Sequence, residues 1–499
     1  MVFSNFPTYK QIPGRPNITV SPVGIADGYI TNGGADYGPD TPGTETVGIA
    51  EAVATGSPVW VLPGTYSLTN TSPITLPNNT QIYWDNATIQ VSASANVFAG
   101  VSSNGIFFDG VLTVDGRGNG YFFISTDDGS GFMDFRANIT LKGFTNSSAK
   151  YAFNIYQGTN YHFGGLLYSV DSAFVLTNAT NHVSISKVVA GPYTTDPATN
   201  LIHITANGSV NPVGLILGEI DIDGGGILST TPVVVAPNPG LTLSDVTIGD
   251  VQIRNTSGNS DGFDLIQCDN VSIGRVICKG TNVGLSIVDS TNVTVAGVVA
   301  SNCRAQGCAV GDGGSTGTTS HVAISSGVFQ DCGTSNTGGV SCGFGTFVGS
   351  SGLTTDVRWQ NCIAYNTVAT MLYGYGEETG GGTISDVSVI GGRLSGNTAP
   401  YLLASGSGTT FQNVFGVNPQ GFSVTTPSVP TSGTAIKNTN PFPVRIYVLT
   451  ASGVTYTITD PSGTVGPSIS ASAGSEITLD PGASITPTYT TLTWKWYGE

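Results

Sequence analysis

The chain has 499 residues, 69 of them glycine, with 39% hydrophobic but only 10% charged residues and a net charge of −16. Ordinary soluble proteins carry about 25% charged residues, and so acidic a surface excludes nucleic acid as a partner, because that binding rests on Lys and Arg neutralising phosphates. Low charge with ample hydrophobicity excludes a disordered chain, no run of ~18 apolar residues marks a membrane-inserting helix, and glycines without a three-residue period exclude collagen.

The opening residues, MVFSNFPTYKQ, lack the charged-then-apolar pattern of a secretory leader. The expectation is an export signal already removed or release with a virus particle. Residues 45–55 (ETVGIAEAVAT) then predict a short capping helix with Val47, Ala50 and Ala54 on one face. Capping is needed because the end of a stacked structure exposes strand edges.

From Val59 to Phe411 one phrase recurs: Asn or Asp, an aliphatic, Ser or Thr, another aliphatic. Asn138-Ile139-Thr140-Leu141, Asp245-Val246-Thr247-Ile248, Asn270-Val271-Ser272-Ile273, Asn292-Val293-Thr294-Val295 and Asp386-Val387-Ser388-Val389 are examples. Taking the first aliphatic as marker (Val59, Ile82, Ile106, Ile139, Tyr161, Val183, Val213, Val246 and onward to Phe411) gives a mean spacing of about 27 residues, in the range of solenoid repeats. The alternation within each phrase has the strand period of two. A second strand precedes most markers, as in Phe263-Asp264-Leu265, Leu285-Ser286-Ile287 and Cys308-Ala309-Val310. Several short strands per repeat predict an all-β fold, a right-handed single-stranded parallel β-helix of about 14 coils, roughly 65 Å long at the inter-strand spacing.

The seven cysteines all fall between Cys268 and Cys362. An odd count without close pairs argues against disulfides or a zinc site and predicts a buried thiol stack. About eleven Asn-x-Ser/Thr sequons occur, including Asn17, Asn70, Asn138 and Asn270; such sequons accept sugar only where glycosylation machinery is met. Several coincide with the repeat phrase, where Asn is expected as a turn residue.

The boundaries expected are 1–56 for the N-terminal segment and capping helix, 57–418 for the β-helix, 419–433 for a linker, and 434–499 for a small C-terminal β-sandwich. The run Val59-Trp60-Val61-Leu62-Pro63-Gly64-Thr65-Tyr66, with Asp36-Tyr37-Gly38 upstream, resembles the opening of pectate-lyase-like β-helices of the viral tail-spike type. The end, NPFPVRIYV through LDPGASI to YTTLTWKWYG, is similar to β-sandwich modules of phage and archaeal-virus fibres. These resemblances imply a virion-surface or extracellular homotrimer that binds a host-surface polysaccharide or glycoprotein.

Asn259-Ser260-Asp261-Gly262-Phe263-Asp264 resembles the N-T-D-G-F-D motif of polygalacturonases. The resemblance makes Asp261 and Asp264 the catalytic candidates of a glycoside hydrolase, or of a polysaccharide lyase. Stacking predicts Val283 and Gln306 above Asp261, with Asn282 beside it. The family's second Asp pair and its Gly-His-Gly are thus replaced by Asn282-Val283 and Ala305-Gln306-Gly307. Asp264 is expected in an outward column with His203, Val234, Ser286, Ala309, Ser341 and Tyr373. His203, Gln306 and Tyr373 are the substrate-binding candidates, and Trp359 and Tyr375 are further aromatics for sugar stacking. Glu219/Asp221/Asp223, Asp127/Asp128 and Glu377/Glu378 are oxygen-rich enough for calcium, but none has ligand spacing; no cofactor or metal is expected. Three readings follow: a spike that binds host glycans without clear catalytic machinery, a polysaccharide-degrading hydrolase, and a structural filament or cell-surface protein.

Overall fold

The computed structural model describes residues 18–21, 36–91, 96–100, 104–118, 123–126, 131–144, 151–156, 159–169, 171–178, 181–205, 211–311, 317–333, 340–368, 371–405, 407–417, 422–441 and 443–498. Asn17, Asp127, Asp128 and the first eleven residues lie outside them.

The chain forms a right-handed parallel β-helix. Its strands fall into one 21-stranded and one 13-stranded sheet among the described residues. Each strand of the smaller sheet pairs in parallel with its counterpart one coil on. The larger sheet turns a corner within each coil. Val213–Asp223, for example, is one strand whose start pairs with Leu243–Ile248 and whose end pairs with Val251–Arg254.

The repeat phrase maps onto this geometry. Val246, Val271, Val293, Val322, Val357 and Val387 are in register on successive coils. The residue before each of them, Asp245, Asn270, Asn292, His321, Asp356 or Asp386, has a φ near +50°. That left-handed region favours Asn, Asp and Gly, so the polar start of the phrase is a turn demanded by the backbone. Asn270 fulfils this role and donates its amide to Asp245 Oδ1 at 2.5 Å.

The marker register needs correction at several coils. Val183 pairs with Leu215 rather than Val213. Ile139 pairs with Leu112 and Leu167, beyond the corner, so its phrase lies on a different face from the others. Phe411 pairs with Val389, two residues past Val387. Irregularities between Trp84 and Ala87 and between Phe163 and Leu166 shift the phase.

The interior changes composition along the axis. Trp84, Phe98, Phe108, Phe123, Phe135, Phe153 and Phe163 form an aromatic file with ring centroids 4.8–6.4 Å apart. The central coils are filled by Val, Ile, Leu and the free cysteines, all seven of them buried. Burial pushes the thiols of Cys268, Cys278, Cys308, Cys342 and Cys362 up, which suppresses the reactive thiolate. Cys308 and Cys342 are both inward but not in one column, because Cys308 pairs with Phe344 and Gln306 with Cys342.

The capping helix is Ile49–Ala54, shorter than the sequence predicts. Val47 and Gly48 take φ values of +57° and +82°, so the helix cannot begin before Ile49. The Thr44 and Thr46 hydroxyls accept the Gly48 and Ala50 amides at 2.8 and 3.0 Å. The buried face is therefore Ile49, Ala52 and Val53, with Ala54 exposed.

At the other end, two four-stranded antiparallel sheets share a second core containing Val444, Ile446, Leu479, Ile485, Trp494 and Trp496. The stretch read as a linker is bonded to them. The Trp494 indole donates to the Pro427 carbonyl at 3.0 Å, and the Tyr489 hydroxyl donates to Pro430 at 2.6 Å. Phe422–Ser423 adds an edge strand beside Thr491–Gly498. Among the described residues no helix is long and apolar enough to cross a membrane.

Candidate functional site

Asp261 ends a turn and Asp264 follows on the strand Phe263–Ile266, between the buried Phe263 and Leu265. The alternation turns Asp264 outward. Gly262 belongs to a ladder of glycines: a Cβ there would stand 2.6 Å from the Gly284 carbonyl oxygen. The same clash recurs from Gly284 to Gly307 (2.3 Å), from Gly307 to Gly343 (2.6 Å) and from Gly343 to Gly374 (2.8 Å). Coils approach too closely here for any side chain. The glycine of the Asp-Gly-Phe-Asp motif is thus required by stacking, whatever the chemistry beside it.

Asp261 Oδ1 accepts the Val283 amide at 3.1 Å and the Asn282 side-chain amide at 2.9 Å, which staples it to the next coil. Asp264 lies against the Asp261 carboxyl and the Thr231 hydroxyl. Its Oδ1 is buried without a hydrogen-bond partner, as are the Ser260 and Thr230 hydroxyl oxygens. Burial first, then the neighbouring Asp261 charge, push Asp264 up to about 8. Asp264 is therefore the protonated member of a carboxyl pair near neutral pH.

Glycosidases hold their two carboxyls roughly 5–5.5 Å apart for retention and about 6.5–9.5 Å apart for inversion. Here Asp261 is close enough for its charge to raise Asp264, but its Oδ1 is already committed to Asn282 and Val283. Val283 and Gln306 are in register on the following coils. Gln306 is buried, and its amide donates to the Val340 carbonyl at 3.0 Å. Arg304 is held by the Gly258 carbonyl and the Asn259 side chain. As arranged, the pair can exchange hydrogen bonds with hydroxyl groups, and the neighbouring register positions, Val283 and Gln306, add no further acid or imidazole.

The other expected site residues are dispersed. The column through Asp264 runs His203, Val234, Asp264, Ser286, Ala309, Gly345 and Gly376. Ser341 and Tyr373 are not in it. Tyr373 follows Gln306 and Cys342 instead, four coils and about 19 Å from Asp261 at the inter-strand spacing. The expected register ran too early at these coils, by four residues at Gly345 and three at Gly376. His203 sits two coils from Asp264, and burial lowers its pKa, which favours the neutral ring. Trp359 and Tyr375 are fully buried core residues. The Trp359 indole donates to Thr346 at 3.3 Å, and the Tyr375 hydroxyl bonds Thr346 and Glu377 at 3.0 and 2.8 Å. Neither is placed to stack on a sugar.

The acidic clusters are engaged internally. Asp221 and Asp223 both bind Arg254, and Glu219 binds Lys187 at 2.7 Å. Glu377 accepts from Tyr375, Thr409 and the Ala404 amide, while Glu378 accepts the Val340 amide at 3.2 Å. Among the described residues no three His, Cys, Asp or Glu side chains gather as a metal site.

Two surface features escaped the sequence pattern. Trp60 and Tyr83 are in register on adjacent strands, with ring centroids 5.0 Å apart and Tyr83 exposed. Val299, Val328 and Ile363 form an outward aliphatic stripe on three successive coils, each 37–38% exposed. Both are legible only once register is known.

No protein-family model matches the sequence, and no curated protein matches it. Among solved structures, tailspike protein 3 of bacteriophage CBA120 is similar at 12% identity and a TM-score of 0.28, over 81% of this chain; the chain spans 64% of that protein's length. The tailspike of Acinetobacter baumannii phage AM24 gives 12% identity and a TM-score of 0.24, covering 91% of this chain and 71% of the other. That of Acinetobacter phage vB_ApiP_P1 gives 10% identity and 0.22, covering 92% and 87%.

Proposed function

We propose that this chain is a virion-surface spike that binds a hydroxyl-rich polymer of the host surface, a polysaccharide or glycoprotein glycan, without cutting it. The observation that carries the reading is the Asp261–Asp264 pair. Asp261 is stapled to the next coil, Asp264 is held protonated beside it, and the register positions above them hold Val283 and Gln306. Hydrogen-bond exchange with sugar hydroxyls needs only such polar groups, and the Trp60–Tyr83 pair, with Tyr83 exposed, adds an aromatic face for a sugar ring. Labelled protein is expected to bind host-surface glycans saturably while releasing no reducing ends from neutral or acidic polysaccharides. Absence of binding sinks the reading.

A second reading, glycoside hydrolysis, is favoured by one property: Asp264 keeps its proton near neutral pH, as a general acid must. Reducing-sugar release that disappears in Asp264→Asn would replace the first reading with this one.

Self-association belongs to the same proposal. The Val299–Val328–Ile363 stripe supplies an apolar strip along the axis, suited to a second copy of the chain. Light scattering is expected to return three times the 51.1 kDa chain mass, and Val328→Asp to reduce it. A monomer at micromolar concentration contradicts the trimer.

A further inference from the structure

Away from the Asp261–Asp264 pair, three successive coils present Asp134, His162 and Ser184 in one outward column. Asp134 is in register with His162, and His162 with Ser184. The Asp134 side chain is fully buried although it starts from an outward position. Its Oδ2 binds Arg136 Nε at 2.6 Å and its Oδ1 binds His162 Nδ1 at 2.9 Å. Most other outward positions further along this column, such as Thr247, Ser272 and Thr294, are small and uncharged. A buried carboxylate fixed between a guanidinium and an imidazole is the exception to that pattern.

We infer that Asp134, His162 and Ser184 form a serine-nucleophile site for short-chain acyl esters. Asp134 accepts the proton carried on Nδ1, which leaves the Nε2 lone pair directed away from it. Ser184 is in register with His162 on the strand opposite to that of Asp134, with its Cα about 4.8 Å away across the strand pair. The ring position depends on Gly164, two residues on: a Cβ there would stand 2.7 Å from His162 Cε1. Ile216, the next residue of the column and 48% exposed, provides an apolar contact for the acyl chain.

The reaction balances with water as the only co-reactant. Ser184 Oγ bonds to the acyl carbon as its proton passes to His162 Nε2, and that proton leaves with the departing alcohol. Water then attacks the acyl-serine, giving one proton to Nε2. The acid departs, and the proton on Nε2 returns to Ser184. Asp134 is the positioning residue, and Arg136 holds its second oxygen.

The inference is independent of glycan binding. Full-length protein is treated with a fluorophosphonate probe, and its turnover of p-nitrophenyl acetate is measured. The expected result is a covalent adduct mapped by mass spectrometry to Ser184. Ser184→Ala is expected to abolish the adduct and the burst of nitrophenolate. His162→Gln, which keeps an amide donor toward Asp134, is expected to slow both by about 100-fold, the scale of general-base assistance. Both replacements are on the surface, and an unchanged unfolding temperature verifies that the fold is intact. No adduct on the wild type, an adduct elsewhere, or equal labelling of His162→Gln overturns the inference.

Discussion

Asp134 in the aromatic-filled coils and Asp264 in the cysteine-filled coils are both outward strand residues whose carboxyls are buried. Their surroundings have opposite sign. Asp134 has His162 in register on one side and Arg136 two residues along its own coil. Asp264 has Val234 and Ser286 in register and a second carboxyl beside it. Stacking at one inter-strand spacing makes the residue one coil away as important as sequence neighbours. The same outward strand position yields an ion pair in one region, through Arg136 and the register neighbour His162, and a protonated acid in the other, through burial and Asp261.

The interior beneath each carboxyl differs as sharply, and the largest expected effect lies there. Phe135→Ala removes a ring stacked on Phe163 at 4.8 Å and packed against Phe108. A loss of about 3–5 kcal/mol is expected. Cys308→Ala, equally buried in the central coils, removes one atom and is expected to cost about 1 kcal/mol. Chemical denaturation of the two variants compares the regions directly; equal losses would mean that the aromatic file has no special share in stability.

Next in size is the pH response of Asp264. Its folded pKa of about 8 lies far above the unfolded value, which is about 4. Between those pH values the unfolded chain has released a proton that the folded chain retains. Stability contributed through this group is complete below pH ~4 and falls as pH rises to about 8. Asp264→Asn removes the titration, so its unfolding temperature relative to wild type is expected to climb from pH 5 to pH 8 and then level off. Ser286→His tests the comparison itself by giving Asp264 the register partner that Asp134 has. That variant is expected to flatten the same slope, and a parallel pH profile would show that register partners do not set the charge state.

The sequence exposed the fold most clearly where the regions differ in just this way. In the central coils β-branched aliphatics alternate with Ser and Thr, so Val246, Val271, Val293 and Val322 mark the register by themselves. In the first coils inward Phe108 and Phe135 are flanked by outward Phe107 and buried Asp134, which blurs the alternation. Backbone irregularities at Trp84/Ala87 and Phe163/Leu166 then shift its phase. The Asp261 neighbourhood was readable because Asp261, Val283 and Gln306 stand at equivalent places on regular coils. The Asp134–His162 contact was hidden because 28 residues separate partners that only register brings together. Trp359 and Tyr375 misled for the converse reason: aromatic residues near polar loops occupy inward positions, and their polar atoms are satisfied by Thr346 inside the core.

The smallest expected effect concerns the polar turn that both regions share in form. Asn292 holds a φ of +54° and donates its side-chain amide to Asp269 Oδ1 at 2.8 Å. Gly214, with a φ of +81°, occupies the equivalent place at Leu215. Left-handed backbone costs most L-residues about 1–2 kcal/mol, so Asn292→Ala is expected to lose about that much. Asn292→Gly relieves the backbone and loses only the exposed amide bond, so it is expected to fall within about 0.5 kcal/mol of wild type. Thermal unfolding of the two variants separates the terms. If Ala and Gly destabilise equally, the side-chain ladder sustains the turn; if only Ala does, backbone conformation alone selects the Asn and Asp that begin the repeat phrase.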